Sequence, residues 1–244
     1  MLKDYQDAYG HQVYDYLNGK GSYEIVERDD GFIDVSGGAK NYLAEYKDWP
    51  LHQRQAIRYA RRRVLDIGSG PGRVLLYLQH KGFDVMGIDI SPLAVEVCKR
   101  RGIQNVKTLS ITQVSSKLGI FDTIVMYGNN FGLFGSRNRA RRLLKRFHKI
   151  TSEKARIIAE TLDPYRTSVP EHLQYHKFNR KRGRMCGQVR IRVRYKKYVT
   201  PWFDYLFVSE KEMTDILKGT GWQITRIFSS RKSPAYVAVI EKTK

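Results

Sequence analysis

The sequence predicts an α/β protein: a doubly wound sheet of seven strands, mostly parallel and finished by an antiparallel edge. Three observations carry this. From residue 50 to residue 163, apolar runs of strand length alternate with helical patterns. A glycine-rich turn, Gly68 to Gly72, links the first of those strands to a helix. The last two apolar runs, QITRIFS and AYVAVIE, are joined only by Ser229–Pro234, too short for a crossover helix, so they pair antiparallel.

The first 49 residues are mixed. Tyr5 and Tyr9, four apart in DYQDAYGHQVYDYL, predict a short helix, and YEIVERDDGFIDV reads as strand, Asp-Asp-Gly turn, strand. A further short helix is expected over Ala39–Tyr46. PLHQRQAIRYA is helical, with Pro50 in its first turn. RVLDI is a buried strand. Pro71–His80 reads as a helix, with Val74, Leu75 and Leu78 on its apolar side. FDVMGIDI is the second strand of the series. SPLAVEVCKRRG follows as a helix capped by Ser91, with Pro92 in first position and Gly102 at the stop. NVKTL is a strand and a short helix is expected near Ile111–Lys117. FDTIVMY is a strand, followed by a glycine-rich loop. The helix around Arg139–Ile150 places Leu143, Leu144, Phe147 and Ile150 at helical spacing, with Arg and Lys on its other side. ARIIAETL is the fifth strand. SEKEMTDILKGTGW is a late helix whose cap, Ser209, has Glu212 three residues on.

Between these, GQVRIRVRYKKYVTPWFDYLFV alternates Val, Ile and Tyr with Arg and Lys, a strand pattern with one cationic face. It predicts a β insertion over residues 163–208, laid across the C-terminal edge of the sheet, where open α/β folds bind ligands. Residues 50–244 are thus expected to form one domain, and residues 1–49 a lid on it.

Hydrophobic residues make up 41% of the 244 and charged residues 28%, which favours a packed core over disorder. No apolar run approaches the ~20 residues that span a bilayer. MLKDYQDAYG lacks a basic-then-apolar leader, so the expected location is cytoplasmic, with no membrane partner. Cys98 and Cys186 lie in no CxxC pair and near no His at ligand spacing; they read as reduced thiols, and no metal is expected. The net charge of +20 is uneven: residues 1–50 carry 5 basic and 10 acidic groups, residues 51–150 carry 19 and 5. An acidic lid on a basic body suits an anionic small substrate or a nucleic acid.

The chemistry is read from VLDIGSGPGR. Gly68, Gly70 and Gly72 are spaced GxGxG, and Arg73 stands where a dinucleotide fingerprint has its third glycine. GxxxxGK[ST] is absent. Asp66 lies two residues before Gly68, and a carboxylate there repels a pyrophosphate while favouring an amino group or a sulfonium. Asp89 ends VMGID, 21 residues after Gly68, where an acid accepts hydrogen bonds from a ribose diol. The ligand so defined bears a ribose and a cationic, phosphate-free portion.

VLDIGSGPGR, FDVMGIDISPLAVEVCKRRG, FDTIVMYGNNFGLF and RIIAETLD together resemble the class I S-adenosylmethionine-dependent methyltransferases, over about residues 50–163 and again in the closing helix and strands. The resemblance implies a Rossmann-like fold and S-adenosylmethionine as cofactor. It implies that Asp66, Gly68, Ser69, Gly70, Pro71 and Gly72 face the methionine portion, that Asp89 holds the ribose hydroxyls and that Ile90 packs on the adenine, with Tyr127 ending the fourth strand beside them. The acid that often reads the adenine amine is missing from TLSIT; Ser110 and Ile111 stand at that edge.

The loop YGNNFGLF faces the transferred methyl in this family. Asn129-Asn130-Phe131 lacks the prolines of the [DNS]PP[YF] motif of base-amine methyltransferases, which lowers the weight of a base as target. Asn129 and Asn130 either orient the acceptor or the methionine group, or serve only the turn. Arg190, Arg192 and Arg194 share one strand face, near Tyr195 and Trp202-Phe203. That face reads as a binding site for an anionic small molecule, as a stacking platform for RNA, or as a solvated outer surface. Tyr14, Arg190, Arg192 and Trp202 are the expected substrate contacts, and His172 is the leading candidate base, with Tyr175 and His176 near it. The expected acceptor is a small anionic molecule; the alternative is RNA.

Overall fold

Buried apolar strands alternate with helices, four of them capped by side chains, and a computed structural model describes residues 2–243. In chain order the elements are α1 (Ala8–Leu17), β1 (Glu24–Arg28), β2 (Ile33–Ser36), α2 (Ala39–Tyr42), α3 (Leu51–Ala56), β3 (Arg63–Ile67), α4 (Arg73–His80), β4 (Asp84–Asp89), α5 (Pro92–Arg100), β5 (Val106–Thr108), β6 (Phe121–Met126), α6 (Arg137–Lys149), β7 (Thr151–Leu162), α7 (Pro170–Lys181), β8 (Gln188–Tyr195), β9 (Tyr198–Val199), β10 (Phe203–Leu206), α8 (Glu210–Leu217), β11 (Trp222–Ser229) and β12 (Ala235–Lys242). No helix among the described residues is long and apolar enough to cross a membrane.

The main sheet has seven strands in the order β11-β12-β7-β6-β3-β4-β5. The five from β7 to β5 are parallel, and β12 runs antiparallel to both β7 and the edge strand β11. Strand order reverses at β3, whose neighbours are β6 and β4, so a crevice opens at its carboxyl end. One face of the sheet is covered by α6 and α8, where Leu143, Leu144, Phe147, Met213 and Ile216 are buried. There the Trp222 indole donates to the Leu144 carbonyl at 3.0 Å. The other face buries Trp49, Leu75, Leu78 and Cys98 from α3, α4, α5 and the segment before them. Both cysteines are buried and free.

A second, antiparallel sheet in the order β10-β8-β1-β2, with β9 on β8, roofs the crevice. It joins the N-terminal segment to the insertion: Val26 of β1 faces Val193 of β8. Its strand pleat sends Val26, Ile191, Val193, Phe203 and Tyr205 toward the crevice. The opposite face carries Glu27 and Arg192, directly across from each other.

Local chemistry departs from expectation in a few places. The insertion is not β alone: it contains α7, which starts at Pro170 and buries only Tyr175, His176 and Asn179, too narrow an apolar stripe to announce a helix. The segment 111–117 forms two 3₁₀ turns, Ile111–Gln113 and Ser116–Leu118, because Ser110 caps the first turn and Gly119 ends the second. The helix expected over Pro71–His80 begins at Arg73, and the one expected over Ala39–Tyr46 stops at Tyr42.

The N-terminal segment is pinned by one buried carboxylate. Asp7 caps α1 through the Gly10 N–H at 3.0 Å and also accepts from the Leu93 N–H of α5 at 3.0 Å. Two helix starts thus share one acceptor. This lays α1 along α5 and sets Tyr9 against the glycine turn, where a Cβ on Gly70 would collide with the Tyr9 hydroxyl.

Candidate active site

Between the carboxyl ends of the parallel strands and the roof lies a cavity of about 620 Å³. Its floor is the turn after β3. Asp66, Gly68, Ser69, Pro71, Asp89, Ile90, Ser110, Ile111, Tyr127, Asn129 and Asn130, all expected at the site, line it together. Gly70 and Gly72 shape the turn behind that wall, and the Gly70 N–H donates to Asp89 Oδ2 at 2.9 Å. Ser91 N–H donates to Asp89 Oδ1, also at 2.9 Å. Each Asp89 oxygen therefore carries one backbone hydrogen bond and keeps acceptor capacity for a ligand.

Asp66 is 2% exposed and takes no hydrogen bond among the described residues. Burial pushes its carboxyl up to about 7, against the pull of the Arg73 charge and with a contribution from Asp89. Burial likewise pushes Asp89 up to about 6, restrained by the N–H groups of Ser91 and Gly70. Both carboxyls are raised in the folded chain. The stability they contribute is present below the unfolded carboxyl pKa of about 3.9 and is lost as pH rises through the folded values. A bound cation offsets that loss, because it favours the ionised carboxylates.

The loop after β6 is held from three sides. Glu160 of β7 accepts from the Gly128 N–H at 2.6 Å, from Gln53 Nε2 at 2.7 Å and from His52 Nε2 at 3.1 Å. Burial raises its carboxyl, but the His52 and Gln53 hydrogen bonds and the Arg73 charge outweigh this and hold it below the ordinary value. Asn130 Nδ2 donates to the carbonyls of Ile67 and Gly68 at 3.1 and 2.9 Å, tying the loop to the glycine turn. The buried Tyr205 hydroxyl of the roof donates to the Asn129 carbonyl at 2.7 Å. Gly132 permits this, since any Cβ there would strike the Tyr205 ring. Roof and floor are therefore bonded directly. Asn129 itself is left-handed, with φ 63°, and its Oδ1 is buried without a partner.

The remaining expected contacts lie elsewhere. Arg192 is held by Glu27 through two bonds of 2.8 Å and covers the Trp202 ring at 4.6 Å, on the outer face of the roof. Arg190 faces Asp204 at 3.8 Å and Arg194 reaches Glu27 at 3.2 Å. The physical reason is the pleat: one face of β8 had to enter the cavity, and Ile191 and Val193 enter at a lower desolvation cost than guanidiniums. Tyr14 lies under Arg100 at 4.7 Å, against α5. His172 bonds Thr167 Oγ1 at 3.1 Å and packs edge-on to Phe32, off the cavity wall. Tyr175 donates to Asp29 at 2.6 Å, and His176 packs beside Tyr165.

Other cavity residues escaped the sequence reading. Arg73, Tyr9, Tyr42, Glu24 and Tyr205 all line it. Glu24 accepts from Gln12 at 2.6 Å and from the Tyr42 hydroxyl at 3.0 Å, and burial raises its carboxyl. Only Arg73 carried a signal, as the non-glycine at the fingerprint's third position. Glu160→Ala is expected to lower unfolding free energy by about 3–5 kcal/mol, because it strands buried donors, as read by denaturant titration. The contribution of Glu160 is present above the ordinary carboxyl pKa and lost as pH falls through its lowered folded value. The difference between wild type and variant should therefore shrink at acid pH.

Comparison with known proteins adds to this geometry. Residues 39–227 match the family described as methyltransferase domain. No curated protein sequence matches the chain. Among solved structures, an S-adenosylmethionine-dependent methyltransferase from Bacteroides fragilis, in complex with S-adenosyl-L-homocysteine, superimposes with a TM-score of 0.83 at 24% identity, covering 100% of this chain and 98% of that one. A second from Methanosarcina mazei gives 0.58 at 18% identity, covering 76% and 95%. The 1,6-didemethyltoxoflavin-N1-methyltransferase of Burkholderia thailandensis gives 0.51 at 16%, covering 82% and 81%. The family match spans well over half of the sequence, and with the sheet order and the acid-flanked glycine turn it leads to one conclusion: the chain belongs to the class I S-adenosylmethionine-dependent methyltransferases.

Proposed function

We propose that this methyltransferase acts on a small-molecule acceptor enclosed between the glycine turn and the roof sheet. The observation that carries the reading is the Tyr205–Asn129 hydrogen bond, which ties roof to floor around a cavity of about 620 Å³. That volume falls in the ~300–1,000 Å³ range of small-molecule sites. The division of labour follows from it: the main sheet supplies the donor site, and residues 1–49 with 163–208 supply the acceptor roof.

The residues present fit the donor. Asp66 stands without a hydrogen bond, Ser69 Oγ and Asn129 Oδ1 are buried without partners, and Ile90 is 47% exposed at the cavity wall. In this reading Asp89 accepts from the ribose hydroxyls, Ile90 and Ile111 flank the adenine with Ser110 at its edge, and Asp66 and the glycine turn take the methionine portion beside Tyr127. S-adenosylmethionine supplies a sulfonium methyl open to in-line displacement. The chain's own contribution is alignment and exclusion of water. Glu160, Asn130 and Tyr205 fix the loop 128–130 before any ligand arrives, so little reorganisation remains. The acceptor is small, but the anionic character expected from the arginine stripe is dropped, since Arg190, Arg192 and Arg194 are not among the cavity's lining and face Asp204 and Glu27.

Two outcomes test this. Asp89→Ala is expected to weaken S-adenosylhomocysteine binding at least tenfold by calorimetry, and wild-type affinity is expected to fall as pH drops through about 7 to 6, where Asp66 and Asp89 take up protons; an unchanged affinity in the variant contradicts the donor site. With methyl-labelled donor and cell extract, label is expected in the low-molecular-weight fraction. Ribonuclease-sensitive label in RNA overturns the small-molecule acceptor and returns the basic surface to the front.

A further inference from the structure

The chain carries 44 Lys and Arg residues against 24 Asp and Glu, yet the charged groups that the roof sheet turns to the cavity are all carboxylates. They are Glu24, Asp34 and Asp204. The two guanidiniums in the lining, Arg73 and Arg139, come from α4 and α6 instead. Asp204 is matched by Arg184 at 3.0 Å and Arg190 at 3.8 Å. Glu27, on the outer face of the strand that carries Glu24, is matched by Arg192 and Arg194. Neither Glu24 nor Asp34 has an ion-pair partner among the described residues.

The pleat brings these two together. Glu24 and Val26 share the inner face of β1, and Asp34 faces Val26 across the ladder with β2. Glu24 is 7% exposed. Its Oε2 accepts from Gln12 Nε2 at 2.6 Å and its Oε1 from the Tyr42 hydroxyl at 3.0 Å. Both donors are neutral, and each oxygen keeps acceptor capacity. Carboxylates buried this deeply are ordinarily paired with a cation. Burial raises the Glu24 carboxyl, and the Asp34 charge adds to the rise. The Tyr42 ring meets Tyr9 edge-on at 5.0 Å, and both line the cavity; aromatic faces attract cations. A separate observation marks the cavity as a ligand site: Ser69, 6% exposed, lines it with its Oγ buried and unpartnered.

A ligand supplies the counter-charge. No group of three or more His, Cys, Asp and Glu side chains among the described residues could hold a metal ion. Two carboxylates beside tyrosine rings suit a nitrogen cation. We infer that Glu24 and Asp34 hold a protonated amine of the methyl acceptor, which is therefore a small basic molecule. The inference rests on the reading of this cavity as a small-molecule methyltransferase site. It also gives the two acids a task in selection. A surface of net charge +20 gathers anions, and carboxylates inside the cavity reject them in favour of a cation.

The test incubates the full chain with a low-molecular-weight cell extract and S-adenosylmethionine in equal parts methyl and trideuteromethyl. Methylated products then appear as mass doublets that are lacking in a control without the protein. The expected result is an acceptor-derived doublet retained on a cation exchanger at neutral pH. A doublet found only in the unretained or anion-exchange fractions overturns the inference and leaves the small-molecule reading standing. Absence of any doublet, or label in RNA alone, overturns that reading and the inference with it. With the acceptor recovered from the retained fraction, Glu24→Gln is expected to raise KM about 10- to 100-fold, with S-adenosylhomocysteine affinity by calorimetry unchanged. Glu24→Asp, which keeps the charge, is expected to lose less. A merely structural Glu24 gives the reverse order, because Gln keeps the length that reaches Gln12 and Tyr42 and Asp does not. Asp34→Asn, at an exposed position, is expected to raise KM about two- to fivefold, and it carries the comparison if the Glu24 variants fail to fold. An unchanged KM in Glu24→Gln and Asp34→Asn overturns the assignment.

Discussion

The fold's functional form depends on the pairing of β1 with β8. Residues 25–28 and 191–194 lie more than 160 positions apart, yet they share one antiparallel ladder. Without it, the N-terminal segment and the insertion would be two unpaired edges over an open crevice. With it, they become a single sheet whose inner face is Val26, Ile191, Val193, Phe203 and Tyr205. The outer face is stapled by Glu27 to Arg192 and Arg194, and exposed pairs of this kind contribute little energy each. The apolar inner face and the Tyr205 hydroxyl do more. The first gives the roof a reason to face inward, and the second fixes its height above the loop 128–130.

Below the roof, charge is held at a cost to stability. Asp66 and Asp89 are buried and raised, Glu160 is buried but satisfied, and Arg73 is unpaired. Glu160 belongs to the architecture, because every one of its contacts is to the protein. Asp66 and Arg73 make no side-chain hydrogen bond or ion pair among the described residues, which in the proposed reading leaves them to a ligand. This contrast separates structural from functional ionisable groups more sharply than residue type does.

Much of the main sheet was legible because its signals are local. RVLDI and FDTIVMY are period-blind buried runs bounded by turns, and Ser91, Pro92 and Ser209 announce their helices by cap chemistry. That Asp66 and Asp89 share one cavity wall was legible because each lies at the end of a strand in the parallel series. The roof was not. Alternation in β8 showed that the arginines share a face, but period two cannot say which face meets the cavity; desolvation decided that. Glu24 and Glu160 carried no signal in the sequence, because their burial rests on the distant partners Gln12, Tyr42, His52 and Gln53. His172, offered as a candidate base, lies off the cavity wall, and α7 lacks the amphipathic pattern that would have oriented it.

The central claim is that one cavity holds donor and acceptor beneath a roof bonded to the loop 128–130. A crystal structure with S-adenosylhomocysteine tests it most directly. The account predicts the ribose on Asp89, the amino-acid end beside Asp66 and the Tyr205–Asn129 hydrogen bond intact. A roof lifted clear of Asn129, leaving a surface slot wide enough for a polymer, would contradict it.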